Sequence, residues 1–365
     1  MPKVRIDQKN GRVILVREIR IVLYGIGAMG SLIARALLEK EGIEIVGAVD
    51  IGKPLGKDLG EAIGLDRRLG IEVMEPERVL SRIEADLAIH ATASYLRITY
   101  PQLKACVESG LNVVSTCEEL AFPYYKYPEL SKELNELAKK SCVTILGTGI
   151  NPGYLMDTLP ITMTGLCQEV QSIRVVRMMD SSKRRIPYQA KIGTGLSPEE
   201  FQRRIEEKRI TGHVGLVESI AMIASALGWH LTDIREFPPE PIIAQKEVPT
   251  PYVVVKPGQV AGLKSIAKGY KDDEEAITLE FISYAGAEEE YDGVFIKGVQ
   301  NVEMKILGGV HGDLGTVGVI VNSIPKVLNA PPGLFTMKDL PIPSATPKDL
   351  RLVVREDWAE AKRRA

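Results

Sequence analysis

The sequence predicts an α/β protein in two parts: an N-terminal domain built on a doubly wound parallel sheet, then an α+β domain with an open, mainly antiparallel sheet. Three observations lead there. Apolar strand-like runs alternate with helical repeats from about residue 18 to 150, the order that parallel pairing through helical crossovers demands. A glycine-rich turn joins the first strand of that series to its first helix. Beyond residue 258 the pattern changes to long polar-apolar alternation, the mark of strands with one covered face. The boundaries that follow are a leader over 1–17, a first domain over 18–150, a second over 151–310, and a stretch over 311–365 whose helix and Pro-rich tail pack back on the first domain.

In the leader, Val4–Asp7 and Arg12–Val16 alternate around Asn10-Gly11, which signals a hairpin; a disordered leader fits the same residues. Arg20–Tyr24 is a β-branched run that feeds Gly25-Ile26-Gly27-Ala28-Met29-Gly30, with Leu32, Ile33, Ala36 and Leu37 at helical spacing behind it. The helix stops at Glu41-Gly42, a strand follows as Ile43–Val49, and Asp50 stands 20 residues past the last glycine. Strand, tight turn, helix, strand and acid in that order form the dinucleotide-binding fingerprint of a Rossmann domain, so NAD or NADP is the expected cofactor. Gly25 permits the turn, Gly27 admits a pyrophosphate at the helix N-terminus beside Ala28 and Met29, Gly30 lets helix and strand pack, and Asp50 can accept from the adenosine ribose. An isolated glycine-rich turn would mean less; here its surroundings agree with it.

Leu55–Gly64 reads as a loop and short helix, Gly70–Met74 as a short strand, and Glu77–Ile83 as a helix opened by Pro76. The strand Ala85–His90 ends in Ala91-Thr92-Ala93-Ser94, small residues that suit a cofactor crossing the sheet, so Ala91 and Thr92 join the cofactor candidates. His90 is better read as a hydrogen-bonded strand-end histidine than as a catalyst. Helices at Arg97–Ser109 and Tyr127–Lys140 alternate with strands at Asn112–Ser115 and Val143–Gly147. After Gly149–Gly153 come a helix over 153–164, a strand at Ser172–Met178, and helices at Pro198–Lys208 and Gly215–Leu227. Antiparallel strands follow at Gly258–Gly269, Glu275–Tyr284, Val294–Lys297 and Asn301–Leu307, joined by Lys271-Asp272-Asp273 and by Ala285–Asp292. A helix at Leu314–Leu328, a Pro-rich tail and a charged helix at Lys348–Ala365 close the chain. An open sheet leaves one face bare, so a second copy of the chain is expected to cover it, giving a homodimer.

Composition narrows the classes. Over 365 residues, 46 Lys plus Arg stand against 48 Asp plus Glu, a balance that speaks against nucleic acid or an anionic membrane as partner. The 4 cysteines lack C-x-x-C spacing and only 4 histidines are present, so no metal site is expected. The reading is a reducing cytoplasm, with no apolar run of membrane-spanning length.

Three clusters offer chemistry. Ser115-Thr116-Cys117-Glu118-Glu119 stands at the carboxyl end of a sheet strand, the rim where ligands of such folds sit; paired acids there are either catalytic or merely solubilising. Cys117 lacks a flanking nucleophile motif and reads as a small buried thiol. Gly147–Gly153 carries Asn151, whose amide suits a nicotinamide carboxamide or a substrate polar group, or marks a hinge. His311-Gly312-Asp313 precedes the last long helix, where Asp313 serves as N-cap or in a functional role.

Taken together, Tyr24–Gly30, Val114–Leu120, Gly147–Gly153 and the run from His311 through Val321-Asn322-Ser323-Ile324-Pro325 to Phe335–Pro341 resemble the native amine dehydrogenases and 2,4-diaminopentanoate dehydrogenases, relatives of dihydrodipicolinate reductase. The similarity runs from about Arg20 to Pro343, and the leader falls outside it. It implies a homodimer that interconverts an amine with a ketone and ammonium, using NAD or NADP. It also implies a catalytic glutamate in the pair Glu118 and Glu119, and matching this strand end to the related homoserine dehydrogenases puts their catalytic lysine at Glu118. Enclosure beneath a cofactor and beside Glu119 is expected to raise the Glu118 pKa. Asp50 favours NAD, while Lys53 and Lys57 leave NADP tolerated. No His-His-x-x-K-x-D run is present, which argues against the lysine-pathway reductase reaction itself. Another imine or semialdehyde reductase remains the alternative enzyme, and a non-catalytic dinucleotide sensor the alternative class, although no basic patch accompanies it.

Overall fold

The computed structural model describes residues 4–6, 13–15 and 17–355. In the leader, β1 (Val4–Ile6) and β2 (Val13–Leu15) pair antiparallel with Val4 opposite Leu15; the turn expected at Asn10-Gly11 lies outside the described residues. β3 (Ile19–Tyr24) is buried at every position but Arg20, as an apolar run with neighbours on both sides must be. Then follow α1 (Ala28–Leu38), β4 (Ile43–Val49), α2 (Leu59–Ala62), β5 (Val73–Met74), α3 (Pro76–Leu80), β6 (Leu87–His90), α4 (Leu96–Glu108), β7 (Asn112–Ser115), α5 (Pro128–Lys140) and β8 (Thr144–Gly147). Leu103, Cys106 and Val107 of α4 and Leu134 and Ala138 of α5 pack on Val113 and Ile145 of the sheet, one apolar face per helix. The strand expected at Gly70–Met74 shrinks to two residues. Asp58 explains this, because its carboxylate accepts from the N–H groups of Gly60, Leu69 and Gly70, each at 2.8 Å, and folds the preceding residues into a loop.

From Tyr154 to His311 the chain forms a second compact unit. Its elements are α6 (Thr158–Thr164), β9 (Val170–Asp180), α7 (Ile186–Lys191), α8 (Pro198–Glu206), α9 (Leu216–Ala226), β10 (Asp233–Glu236), β11 (Glu240–Ile243), β12 (Val248–Pro249), β13 (Val254–Val255), β14 (Val260–Lys271), β15 (Glu274–Tyr284), β16 (Tyr291–Gly298) and β17 (Val302–Leu307). The helix expected over 153–164 starts only at Thr158, where the Asp157 side chain caps it. The main sheet runs β10-β14-β15-β9-β16-β17, with β11 also on β14. The expected direct neighbours β15 and β16 are instead separated by β9, parallel to the first and antiparallel to the second. The reason is burial: Ile173, Val175, Val176 and Arg177 put buried side chains on both faces of β9, so it takes the centre. Strands β10 to β13 have no clear signal in the sequence, since Pro239 and Pro241 interrupt the alternation. At the core of this unit Arg177, 1 % exposed, lies 3.2 Å from Asp292 across the β9–β16 pair. Between them they hold Val310, whose carbonyl accepts from Arg177 Nη2 (2.6 Å) and whose N–H donates to Asp292 Oδ2 (2.7 Å).

Residues from Gly312 onward belong to the same unit as those up to Gly153. α10 (Gly312–Leu328) packs on α1 and the sheet, and β18 (Gly333–Phe335) adds a seventh parallel strand beside β8, giving the order β18-β8-β7-β6-β3-β4-β5. Only three residues long between Pro332 and a Pro-rich tail, β18 carries no readable period. Asp313 sits inside the first turn of α10, so it is not the N-cap. The charged helix expected from Lys348 is, in its described part, a 3₁₀ turn at Leu350–Val353, anchored by Glu41 N–H to Lys348 O (2.8 Å) and Leu350 N–H to Glu41 O (3.1 Å); residues 356–365 lie outside the described residues.

Candidate active site

Sheet order places the candidates. β3 leads to β4 and β5 on one side and to β6, β7 and β8 on the other, so the strand order reverses between β3 and β6 and leaves a crevice at their carboxyl ends. Tyr24 is level with His90, His90 with Ser115, and Ser115 with Gly147. The loops that leave these ends carry, in order across the sheet, Asn151, Glu118, Ala91 with Thr92, the Gly25–Gly30 turn, and Asp50.

The glycine turn fits a dinucleotide. Gly25 has φ +97°, and a Cβ on it would fall 2.4 Å from Ala91 O, so the turn closes only because side chains are missing there. A Cβ on Gly30 would fall 1.9 Å from Gly25 O, the close helix-strand contact assigned to the third glycine. Gly27, by contrast, has open space within 4 Å and is exposed together with Ala28. α1 begins there with no capping side chain and no acid in its first turn, which leaves its N–H groups and its positive dipole end for an anion. The side chains and backbone present thus match the pyrophosphate of a dinucleotide.

Asp50 shows a bond pattern that its sequence position did not reveal. Its Oδ2 accepts from Ile26 N–H of the glycine turn (2.7 Å), and its Oδ1 from Ile51 N–H (2.8 Å) and Gly52 N–H (2.7 Å). Three of roughly four acceptor positions of a carboxylate are filled by backbone before any ribose hydroxyl arrives. Asp50 therefore clasps the turn to the end of β4.

His90 joins β6, β7 and α4. Fully buried, it meets Gln102 Oε1 with Nε2 (2.8 Å) and Ser115 Oγ with Nδ1 (2.9 Å). An amide oxygen can only accept, so the proton is on Nε2 and Ser115 donates to Nδ1; Ser115 Oγ in turn accepts from Cys117 N–H (3.1 Å). Burial pushes the His90 pKa down to about 4, so the ring is neutral at physiological pH. Cys117 is equally enclosed, its thiol pushed up to about 12 by burial and bonded to Ser94 O and Thr99 Oγ1 at 3.3 Å each, the environment of a packing thiol rather than a nucleophile.

The two glutamates stand on a 3₁₀ turn, Glu118–Ala121, rather than on the strand itself, so strand alternation does not govern where they point. Glu118 is partly exposed. Glu119 is only 4 % exposed, its Oε2 accepting from Leu96 N–H (2.8 Å) and its Oε1 from the Tyr127 hydroxyl (3.1 Å), with Lys126 Nζ at 3.8 Å. Next along the rim, Asn151 is buried in the loop after β8, and the adjacent Ile150 N–H donates to Thr316 Oγ1 of α10 (3.4 Å). Thr316 had no local sequence signal, because α10 reaches this loop only through the fold.

Comparison with known proteins identifies the family of the chain. Residues 19–146 match the N-terminal domain of dihydrodipicolinate reductase, and residues 154–356 match the 2,4-diaminopentanoate dehydrogenase C-terminal domain. The 2,4-diaminopentanoate dehydrogenase of Acetoanaerobium sticklandii is 39% identical over 348 residues, 94% of this chain and 99% of its own length. An amine dehydrogenase of Streptomyces virginiae is 24% identical over 89% of this chain and 96% of its own. The solved structure of an amine dehydrogenase from Mycobacterium smegmatis superposes with a TM-score of 0.78 at 28% identity, covering 91% of this chain and 98% of that one. A matched domain model over more than half of the chain and a relative of 39% identity along nearly its whole length lead to one conclusion: this NAD(P)-dependent oxidoreductase belongs to the 2,4-diaminopentanoate dehydrogenase family.

Proposed function

We propose that this protein interconverts an amine, either a small alkyl amine or a diamino acid such as 2,4-diaminopentanoate, with the corresponding ketone and ammonium. The observation that carries the reading is the place of Glu118, partly exposed on the turn after β7, two strands from β3 and its glycine turn. Gly27, Ala28 and Met29 would hold the pyrophosphate, Asp50 would hold their turn and meet the ribose, and Ala91, Thr92 and Asn151 would border the nicotinamide. The nicotinamide, when bound, supplies the hydride acceptor for oxidation or the donor for reduction.

Glu118 acts on protons. An amine arrives as an ammonium ion, attracted by the carboxylate, and must give one proton to it before the carbon can part with a hydride. Glu118 passes that proton on to solvent, and its restored charge stabilises the iminium cation that loss of the hydride leaves on the substrate. Water adds to the iminium carbon as a base takes its proton, the nitrogen is reprotonated, and ammonia leaves to give the ketone. Per turnover, an ammonium substrate, one water and oxidised cofactor become ketone, ammonium ion, reduced cofactor and one proton.

Two wider proposals accompany this. All four cysteines are free thiols, which favours a reducing cytoplasm. The sheet face of the second unit opposite its helices carries Met178, Ile266, Ile282 and the 84 % exposed Leu307 among paired charges such as Arg174–Glu280, and a second copy of the chain is the partner we assign to it.

The test is Glu118→Gln, which keeps shape and removes charge. Turnover of an amine panel with NAD should fall about 10²-fold or more, the scale of general acid-base catalysis, while NADH binding stays as in wild type. Near-normal turnover in this variant would overturn the mechanism.

A further inference from the structure

We infer that Glu119 is the positioning residue for Glu118, and that the adjacent acids divide the work between chemistry and architecture. The inference rests on the reading of Glu118 as the proton-handling group.

The argument begins at α4. A helix leaves its first N–H groups without intrahelical partners, and a Ser, Thr, Asp or Asn at the N-cap normally supplies one. Here the N-cap is Tyr95, whose side chain makes no capping bond. The missing acceptor comes from elsewhere in the chain: Glu119 Oε2 accepts from Leu96 N–H, the first residue of the helix. A carboxylate at that place also meets the positive end of the helix dipole. The α4 N-terminus is therefore completed by the residue next to the candidate catalyst.

The rest of the contact set ties the same three segments. Glu119 N–H donates to Ser94 O (3.1 Å), and the Cys117 thiol donates to the same carbonyl (3.3 Å). Glu119 Oε1 accepts from Tyr127, whose own N–H donates to Pro123 O (2.8 Å), fixing the segment after the turn. The loop 91–95, which borders the cofactor crevice, and the turn that carries Glu118 are thus held against each other through Glu119. With both oxygens occupied and 4 % exposure, Glu119 is poorly placed to touch a substrate, whereas Glu118 keeps partial exposure.

The consequence is a difference between neighbours that have the same chemistry in the sequence. Glutamine in place of Glu119 retains an oxygen for Leu96 N–H and can turn its amide toward the Tyr127 oxygen, so the turn stays in place. Alanine retains neither contact. The experiment compares wild type, Glu118→Gln, Glu119→Gln and Glu119→Ala in one amine-oxidation assay, with kcat and KM taken across pH and NADH binding measured separately. Glu119→Gln should keep kcat within about threefold of wild type. Glu119→Ala should lose tenfold or more in kcat, with a displaced pH profile and a change in NADH affinity of about threefold at most, because the base is misplaced while the glycine turn that holds the pyrophosphate is intact. If Glu119→Ala does not fold, Tyr127→Phe, which removes one donor, takes its place, and a kcat loss with a displaced pH profile is again expected. A 10²-fold loss in Glu119→Gln while Glu118→Gln is also inactive would overturn the inference and make both acids catalytic. Unchanged kcat and pH profile in a folded Glu119→Ala, or in Tyr127→Phe where that stands in, would overturn it in the other direction, leaving a contact without catalytic influence. An active Glu118→Gln would instead remove the underlying functional reading, an outcome separable from both.

Discussion

At the scale of the residue, single polar side chains hold the loops of the site, and each does so by satisfying backbone N–H groups. Asp50 is the clearest case. Its three backbone bonds include Ile26 N–H, so the acid expected to greet the ribose also shapes the turn that receives the pyrophosphate. One effect follows for Asp50→Ala. Losing the clasp should raise KM for NAD by about tenfold or more, since tenfold equals about 1.4 kcal/mol and charged hydrogen bonds contribute on that order, and should raise KM for NADP as well, by less because a repulsion is relieved there. Had Asp50 acted on the ribose alone, KM would rise for NAD and fall for NADP, and that split in the two measured values would remove the clasp from the explanation. In the wild type NAD should serve better, because the carboxylate is fixed where a ribose phosphate would be repelled; a preference for NADP above a hundredfold in kcat/KM would contradict this.

At the scale of the element, the carboxyl ends of β6 and β7 and the body of α4 are joined by His90, Ser115 and Gln102. A neutral histidine enclosed in this way links stability to acidity. In the unfolded chain it takes a proton near pH 6.5, in the fold only near pH 4. Between those values the unfolded state binds the proton that the folded state refuses, so stability is whole above pH 6.5 and falls as the pH drops. The loss should approach about 3 kcal/mol by pH 4, since each tenfold difference in proton affinity between the two states corresponds to about 1.4 kcal/mol. Urea unfolding at a series of pH values should show this fall in wild type and lack it in His90→Gln. Parallel curves for the two proteins would mean that other groups carry the acid dependence.

At the scale of the whole molecule, the chain enters the first unit, builds the second between Tyr154 and His311, and returns to complete the first with α10 and β18. The second unit's sheet has its helices on one face, where Ile173, Val175, Leu279 and Phe281 are buried with Leu216, Ile220 and Ile223 of α9. The other face mixes apolar groups with charges that are already paired, Lys264 and Arg174 both on Glu280 at 2.8 and 2.5 Å. Paired charges cost less to cover than free ones, which suits that face to a subunit contact. Light scattering at micromolar concentration should give twice the chain mass, and Leu307→Lys should shift it toward the monomer. A wild-type monomer under those conditions would leave this face to solvent.

The sequence by itself determined the dinucleotide turn, the strand-helix alternation and the carboxylate pair, because each is written in contiguous residues whose spacing follows directly from backbone geometry. Gly25, Gly27 and Gly30 are needed where they stand for reasons that a few neighbouring residues already contain. The antiparallel strands from Val260 to Leu307 were readable for the same reason, by their period. What only the tertiary structure decided depends on residues far apart in the chain. No local pattern places β9 between β15 and β16, adds three residues after Pro332 as a strand beside β8, or brings Thr316 to Ile150. Nor does any local spacing distinguish Glu118 from Glu119, which only the resemblance to homoserine dehydrogenases separates. The two acids are alike in charge, size and neighbourhood along the chain, and they differ only because the start of α4, 23 residues earlier, lacks an acceptor that one of them supplies.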